Sequence, residues 1–108
     1  MFSSLIIARM DISHADAVAE VFTGFDATDM PARMGTRRRE LFHYRGLYFH
    51  LQDFESPNGT GAVEAAKSDP RFIQVSNDLK PYIEAYSPDW RSPKDAMAER
   101  FYHWSSER

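Results

Sequence analysis

The chain contains no cysteine, so neither a disulfide framework nor a thiolate metal site is available, a usage that fits a reducing compartment. Long apolar runs are lacking as well: the N-terminal stretch Leu5 to Ala8 is far too short for a signal-peptide core or a membrane span. Nor is there a basic excess. Thirteen Lys and Arg stand against sixteen Asp and Glu, a net charge of −3, which argues against nucleic acid or an anionic membrane as the main partner. These absences lead us to expect a soluble, cytoplasmic protein. Its 108 residues form one domain, 1–108, large enough for a single core but too small to leave a wide apolar sheet face in water.

What is present is concentrated in residues 34 to 52. Two runs rich in aromatic and branched side chains meet at Arg45-Gly46, a pair suited to a two-residue turn with positive φ at Gly46. Tyr44 then pairs with Leu47, Leu41 with His50 and Arg39 with Gln52. Alternation puts Arg39, Leu41, His43, Tyr48, His50 and Gln52 on one face and Phe42, Tyr44, Leu47, Phe49 and Leu51 on the other. The first face is equipped to hold an anionic oxygen and move a proton. The second is an apolar patch that needs a cover.

Around this hairpin, residues 2 to 10 read as a central strand buried on both faces. Asp11 to Ser13 offer N-cap side chains, and Ser13 followed by Asp16 resembles a capping arrangement for a helix reaching about Asp26, with Ala15, Val18, Ala19, Phe22 and Phe25 along one side. Asp26 falls on that inward side, an unusual place for a carboxylate. Residues 56 to 61 read as a loop and 62 to 67 as a short helical piece. Ser68-Asp69-Pro70 opens another helix, its stripe formed by Phe72, Val75, Leu79 and Tyr82, which Pro81 ends near Leu79. Residues 84 to 95 read as a connection and Met97 to Trp104 as a last strand. The order is the α+β, ferredoxin-like split βαββαβ pattern with an antiparallel sheet. Helices cover one face of such a sheet, and a second copy is the natural cover for Phe42, Phe49 and Leu51, giving a two-fold homodimer.

Several short stretches, taken together in order and spacing, carry a family resemblance: Arg9-Met10-Asp11, Asp26 through Pro31, Gly35 through Arg39, Leu47 through Leu51, Asp69 through Phe72, and Ala98 through Trp104. Over nearly its whole length the chain resembles the tetracenomycin-type aromatic polyketide cyclases of antibiotic and spore-pigment clusters. The resemblance implies a dimer of the α/β-barrel kind, no cofactor, and ring closure of an aromatic polyketide intermediate, free or bound to an acyl carrier. It also implies a pocket with an aspartate at the end of the first helix, an arginine in the second strand and a histidine in the third. The matching positions are Asp26, Arg39 and His50. Where the family commonly has a histidine just before that aspartate, this chain has Phe25.

Aldol closure needs a base, a group that stabilises the enolate, and an acid for loss of water. His50, with a reference pKa of about 6.5, suits the acid and base roles, and Arg39 suits the enolate. Asp26 would orient His50 or carry a second proton. His43 and Tyr48 share the face and would contact substrate oxygens, while Phe22 and Phe25 would wall the cavity. Each has a plainer alternative: His50 as a half-buried strand histidine, Arg39 as a salt-bridge partner, Asp26 as a turn residue joined to Thr28. Asp53 and Glu55 fall on the face opposite His50, which argues against a metal cluster. The competing functions are a cofactor-independent monooxygenase forming a quinone from a polycyclic phenol, and a non-catalytic partner that holds a polyketide for the synthase.

Overall fold

The computed structural model describes residues 2–55, 65–91, 93–104 and 106. The loop expected at 56–61 and the first half of the helix expected at 62–67 lie outside these, while Ala65 and Ala66 are helical. The elements run β1 (Phe2–Met10), α1 (Ala15–Asp26), α2 (Met30–Met34), β2 (Thr36–Tyr44), β3 (Leu47–Phe54), α3 (Pro70–Leu79) and β4 (Ile83–Glu84), with 3-10 turns at Ile12–His14 and Pro93–Ala96. The four strands lie in the order β2-β3-β1-β4 and every pairing is antiparallel. This is the ferredoxin-like arrangement, with the first and third strands central.

The hairpin forms in the register that its turn dictates. Tyr44 pairs with Leu47, Leu41 with His50 and Arg39 with Gln52, and the turn places Arg45 at φ 47° and Gly46 at φ 82°, the two positive angles that match the twist of the strands. Alternation then sends Tyr48, His50, Gln52 and Phe54 toward the helices, and all four are buried. β1 follows suit through its pairs Ile6 with His50 and Ala8 with Tyr48. Near the start of β2 the register slips between Thr36 and Arg38, so Arg37 is looped out as a bulge and its guanidinium reaches Glu55 at 3.2 Å.

Helix α1 lays Val18, Phe22 and Phe25 onto the sheet. Val18 and Phe22 pack with Ala8, Met10 and Tyr48, while Phe25 packs with Met30, Met34, Phe54 and Val75. Ala19 is exposed and Val21 takes the inward place instead. The start of this segment is capped by Asp11, whose side chain accepts from the Ser13 amide at 2.9 Å; the expected Ser13 cap is absent, because a 3-10 turn comes first and puts His14 at the helix boundary. α3 begins as expected, with the Asp69 carboxylate accepting from the Arg71 amide at 2.8 Å and Pro70 in the first turn.

Two expectations about strands need correction. The last strand is Ile83–Glu84, not 97–104. Leaving α3, the chain reaches the free edge of β1 at once, and Ile83 and Glu84 pair with Met10 and Arg9, so that edge is already taken at one end. Beyond β4, among the described residues, the backbone ladder on β1 continues with a single bridge from Met97 to Ile6 and a hydrogen bond from the Ala98 amide to the Leu5 carbonyl at 2.7 Å. The aromatic residues near the C-terminus are exposed, Phe101 almost completely at 98%. β1, in turn, is central but not buried on both faces: Leu5, Ile6 and Ile7 are half-buried. The outer face also leaves Phe42 and Tyr44 exposed, at 50% and 60%.

Candidate functional site

Three elements bring Asp26, Arg39 and His50 together. Arg39 projects from edge strand β2 toward the helices, and its diagonal neighbour on β3 is His50. Asp26 closes α1. The Arg39 guanidinium lies between the other two. Its Nε donates to the Asp26 carboxylate at 3.0 and 3.2 Å and Nη2 donates at 2.9 Å, while Nη1 is 2.8 Å from Nε2 of His50. A guanidinium has donors only, so Nε2 accepts and His50 is a neutral imidazole carrying its proton on Nδ1. Three of the five N–H groups of Arg39 are thereby used, leaving one on each terminal nitrogen.

The surroundings fix this chain. The Arg39 side chain is only 8% exposed, against 37% for Asp26. Its guanidinium carbon stands 4.8 Å from the centre of the Phe22 ring and 5.7 Å from that of Phe25, a stacking that favours a flat cation. Phe22 also meets His50 edge-on at 5.3 Å. Burial, with Arg39 adding to it, pushes the His50 pKa down to about 3, because both effects disfavour an imidazolium. Burial drives Tyr48 the other way, above the ordinary phenol range, so its phenol stays protonated.

A cavity of about 380 Å³ opens between the sheet and the helices, with Phe22, Phe25, Arg39, Tyr48, His50 and Gln52 on the hairpin side. Its size suits a small organic molecule, and its apolar walls with a few polar groups are those of a ligand site. Sequence reasoning placed Arg39, His50, Tyr48, Phe22 and Phe25 here correctly. It misplaced two residues. Asp26 does not touch His50 or line the cavity; it holds Arg39 from behind. Nor is it joined to Thr28, whose hydroxyl donates to the Phe25 carbonyl at 2.7 Å. His43 lies outside the cavity, its Nε2 3.0 Å from the Met10 carbonyl, since its place on β2 is beside the far end of β1. Two other arginines of the hairpin lie at the surface: Arg38 pairs with Asp53 at 2.9 Å and Arg45 stacks on Tyr44.

The far wall went unread. Ser76 and Lys80 follow Phe72 at intervals of four along α3, a spacing that stacks them on one helical side, and Trp90, Arg91 and Met97 come from the connection after β4. The helical interval was a usable signal for Ser76 and Lys80. Nothing local marks the residues of the connection.

Fold and site together define a small ferredoxin-like protein with an apolar cavity and, on its wall, a buried Arg39–His50 pair held from behind by the exposed carboxylate of Asp26. The model of the polyketide synthesis cyclase family matches residues 2–105, and the chain belongs to that family. An uncharacterized protein of Streptomyces coelicolor is 43% identical over 107 residues, covering 96% of this chain and 95% of that protein. Tetracenomycin F2 cyclase of Streptomyces glaucescens is 35% identical over 105 residues, covering 97% and 95%. The solved structure of that cyclase superimposes with a TM-score of 0.92 over 98% of this chain and 99% of its own. An antibiotic biosynthesis monooxygenase structure shares only the fold, with a TM-score of 0.52 at 10% identity over 77% of this chain and 86% of that one. Among the described residues no helix is long and apolar enough to cross a membrane.

Proposed function

We propose that the protein is a cytoplasmic, cofactor-free aromatic polyketide cyclase that closes a ring by aldol condensation and then expels water. The observation that carries this reading is the Arg39 guanidinium, held by Asp26 against the neutral His50 on the wall of an apolar cavity. The two unused N–H groups of Arg39 receive a carbonyl oxygen and stabilise it as an enolate forms. His50 takes the proton from the carbon between two carbonyls. With a pKa of about 3 in the free protein it is a weak base, but an enolate beside it offsets the charge of Arg39 and raises its affinity for the proton as the reaction proceeds. The enolate carbon attacks a second carbonyl, the imidazolium returns its proton to the alkoxide, the new hydroxyl leaves together with a hydrogen of the adjacent carbon as one molecule of water, and enolisation of the remaining carbonyls yields the aromatic ring. Phe22, Phe25 and Tyr48 hold the chain in the reactive conformation, a contribution of the proximity kind. Asp26 acts through Arg39 and is a positioning residue.

The working form in this reading is a homodimer. Phe42 and Tyr44, at 50% and 60% exposure, give the outer sheet face the apolar character of a self-complementary surface, and light scattering on the purified chain tests it. For the reaction, candidate polyketide intermediates are incubated with the protein, with and without oxygen, beside His50→Ala. Oxygen-independent loss of water to one regiospecific aromatic product, slowed in the variant, supports the cyclase. Oxygen-dependent quinone formation replaces it with the monooxygenase, and an unchanged spontaneous mixture leaves a polyketide-holding role.

A further inference from the structure

The charge lining the cavity is unbalanced. Three cations face it, Arg39, Lys80 and Arg91, and among the described residues no carboxylate does. Arg39 is matched by Asp26 from behind. Lys80 and the guanidinium of Arg91 have no ion pair or hydrogen bond among the described residues; only the backbone amide of Arg91 is engaged, donating to Asp95 at 2.9 Å. The same cavity is lined by Trp90, whose indole N–H is buried with no acceptor among the described residues. Lys80, as the residue closing α3, complements the negative end of that helix. That accounts for a lysine there, but not for an arginine and an orphan indole donor beside the same cavity. A buried donor without an acceptor is costly, and two exposed cations lining the same cavity, Lys80 and Arg91, specify what acceptor would suit.

We propose that Lys80, Trp90 and Arg91 form a subsite for an anionic oxygen group, a carboxylate or a phosphate, carried by the substrate at the end remote from His50. The inference rests on the reading of the cavity as a polyketide site. Topology separates the two ends: Arg39 is on edge strand β2, whereas Lys80 leads into edge strand β4. Three strand spacings, roughly 14 Å, lie between these edges, a length suited to a fused-ring molecule bearing an end group. The substrate is then held at both ends. Arg39 polarises the reacting carbonyl, and the distal donors set which carbonyl arrives there, which makes them determinants of ring position.

Calorimetric titration of the full chain with three probes tests this: 3-hydroxy-2-naphthoic acid, its neutral counterpart 2-naphthol, and 4′-phosphopantetheine. The carboxylate is expected to bind about tenfold more tightly than 2-naphthol, an advantage of the size of one charge-assisted hydrogen bond. Lys80→Gln combined with Arg91→Gln should abolish that advantage while leaving 2-naphthol binding unchanged. Trp90→Phe should remove part of it. If 4′-phosphopantetheine is the probe that loses affinity in the double variant, the group is the phosphate of a carrier arm; if the naphthoate is, it is a carboxylate of the polyketide. Binding of both anions to the double variant as to the parent, with 2-naphthol still bound, overturns the subsite and leaves the cavity reading standing. Failure of all three probes to bind the parent overturns both.

Discussion

Nη1 of Arg39 lies 2.8 Å from Nε2 of His50, so the arginine holds the histidine as an acceptor and keeps a proton off it. Replacing Arg39 with Met should therefore raise the His50 pKa from about 3, though not to its ordinary 6.5, since burial remains. Proton NMR titration of the ring measures this directly. Loss of the enolate donor should lower kcat/KM by roughly 10²–10³-fold. Arg39→Lys should recover little, because an ammonium cannot engage Asp26 side-on and reach His50 together.

Acid should destabilise the fold in a defined window. The unfolded chain takes up a proton on His50 near pH 6.5, whereas the folded one does so only near 3. Between those values the unfolded state binds more protons, so stability falls as pH drops from about 6.5 toward 3 and is fully present above 6.5. Urea midpoints across pH 3.5 to 7.5 should show that slope, and His50→Gln should flatten it. By the same argument, the acid limb of kcat/KM should lie well below pH 6.

Phe25 occupies the position where the family resemblance implies a histidine, and here it is packed with Met30, Met34, Phe54 and Val75. Phe25→His puts a polar ring into that cluster beside the Arg39 cation, 5.7 Å from the present ring. A loss of about 1–3 kcal/mol is expected, the cost of a buried polar group without a partner. A thermal melt reads the loss, and a second ionisation in the pH–rate profile would mark the introduced base.

Gly46 lies at φ 82° with open space where a Cβ would stand. Gly46→Ala therefore meets no neighbour and its cost is purely conformational, about 1 kcal/mol. The Met10 amide donates to the Gly46 carbonyl at 3.0 Å, so weakening the turn also loosens its tie to β1. Hydrogen exchange at Met10 should rise together with a fall of several degrees in melting temperature.

The hairpin was legible in the sequence because its turn allows few residue types and its period of two leaves no freedom once Tyr44 faces Leu47. That register alone put Arg39 beside His50. Legibility failed where placement depends on the rest of the chain. Met97 to Trp104 has strand-like side chains, yet whether they pair was decided by Ile83 and Glu84 arriving first at β1. Asp26 read as an inward carboxylate, yet it is exposed and reaches inward only through Arg39, whose guanidinium stands between it and His50. Lys80, Trp90 and Arg91 belong to no motif, and only the folding of a connection against the cavity brings them together.

The looped-out Arg37 has a further consequence for how this scaffold tolerates change in length. A one-residue insertion or deletion in the corner joining α2 to β2 can be taken up where the ladder is already out of step, and Arg39 keeps its side of the sheet. The same change between Arg38 and Tyr44 has no such slack. It would turn Arg39 to the outer face and leave Asp26 and His50 without the residue that links them. The bulge thus divides the chain into a stretch whose length can drift and a stretch whose length is fixed to the residue.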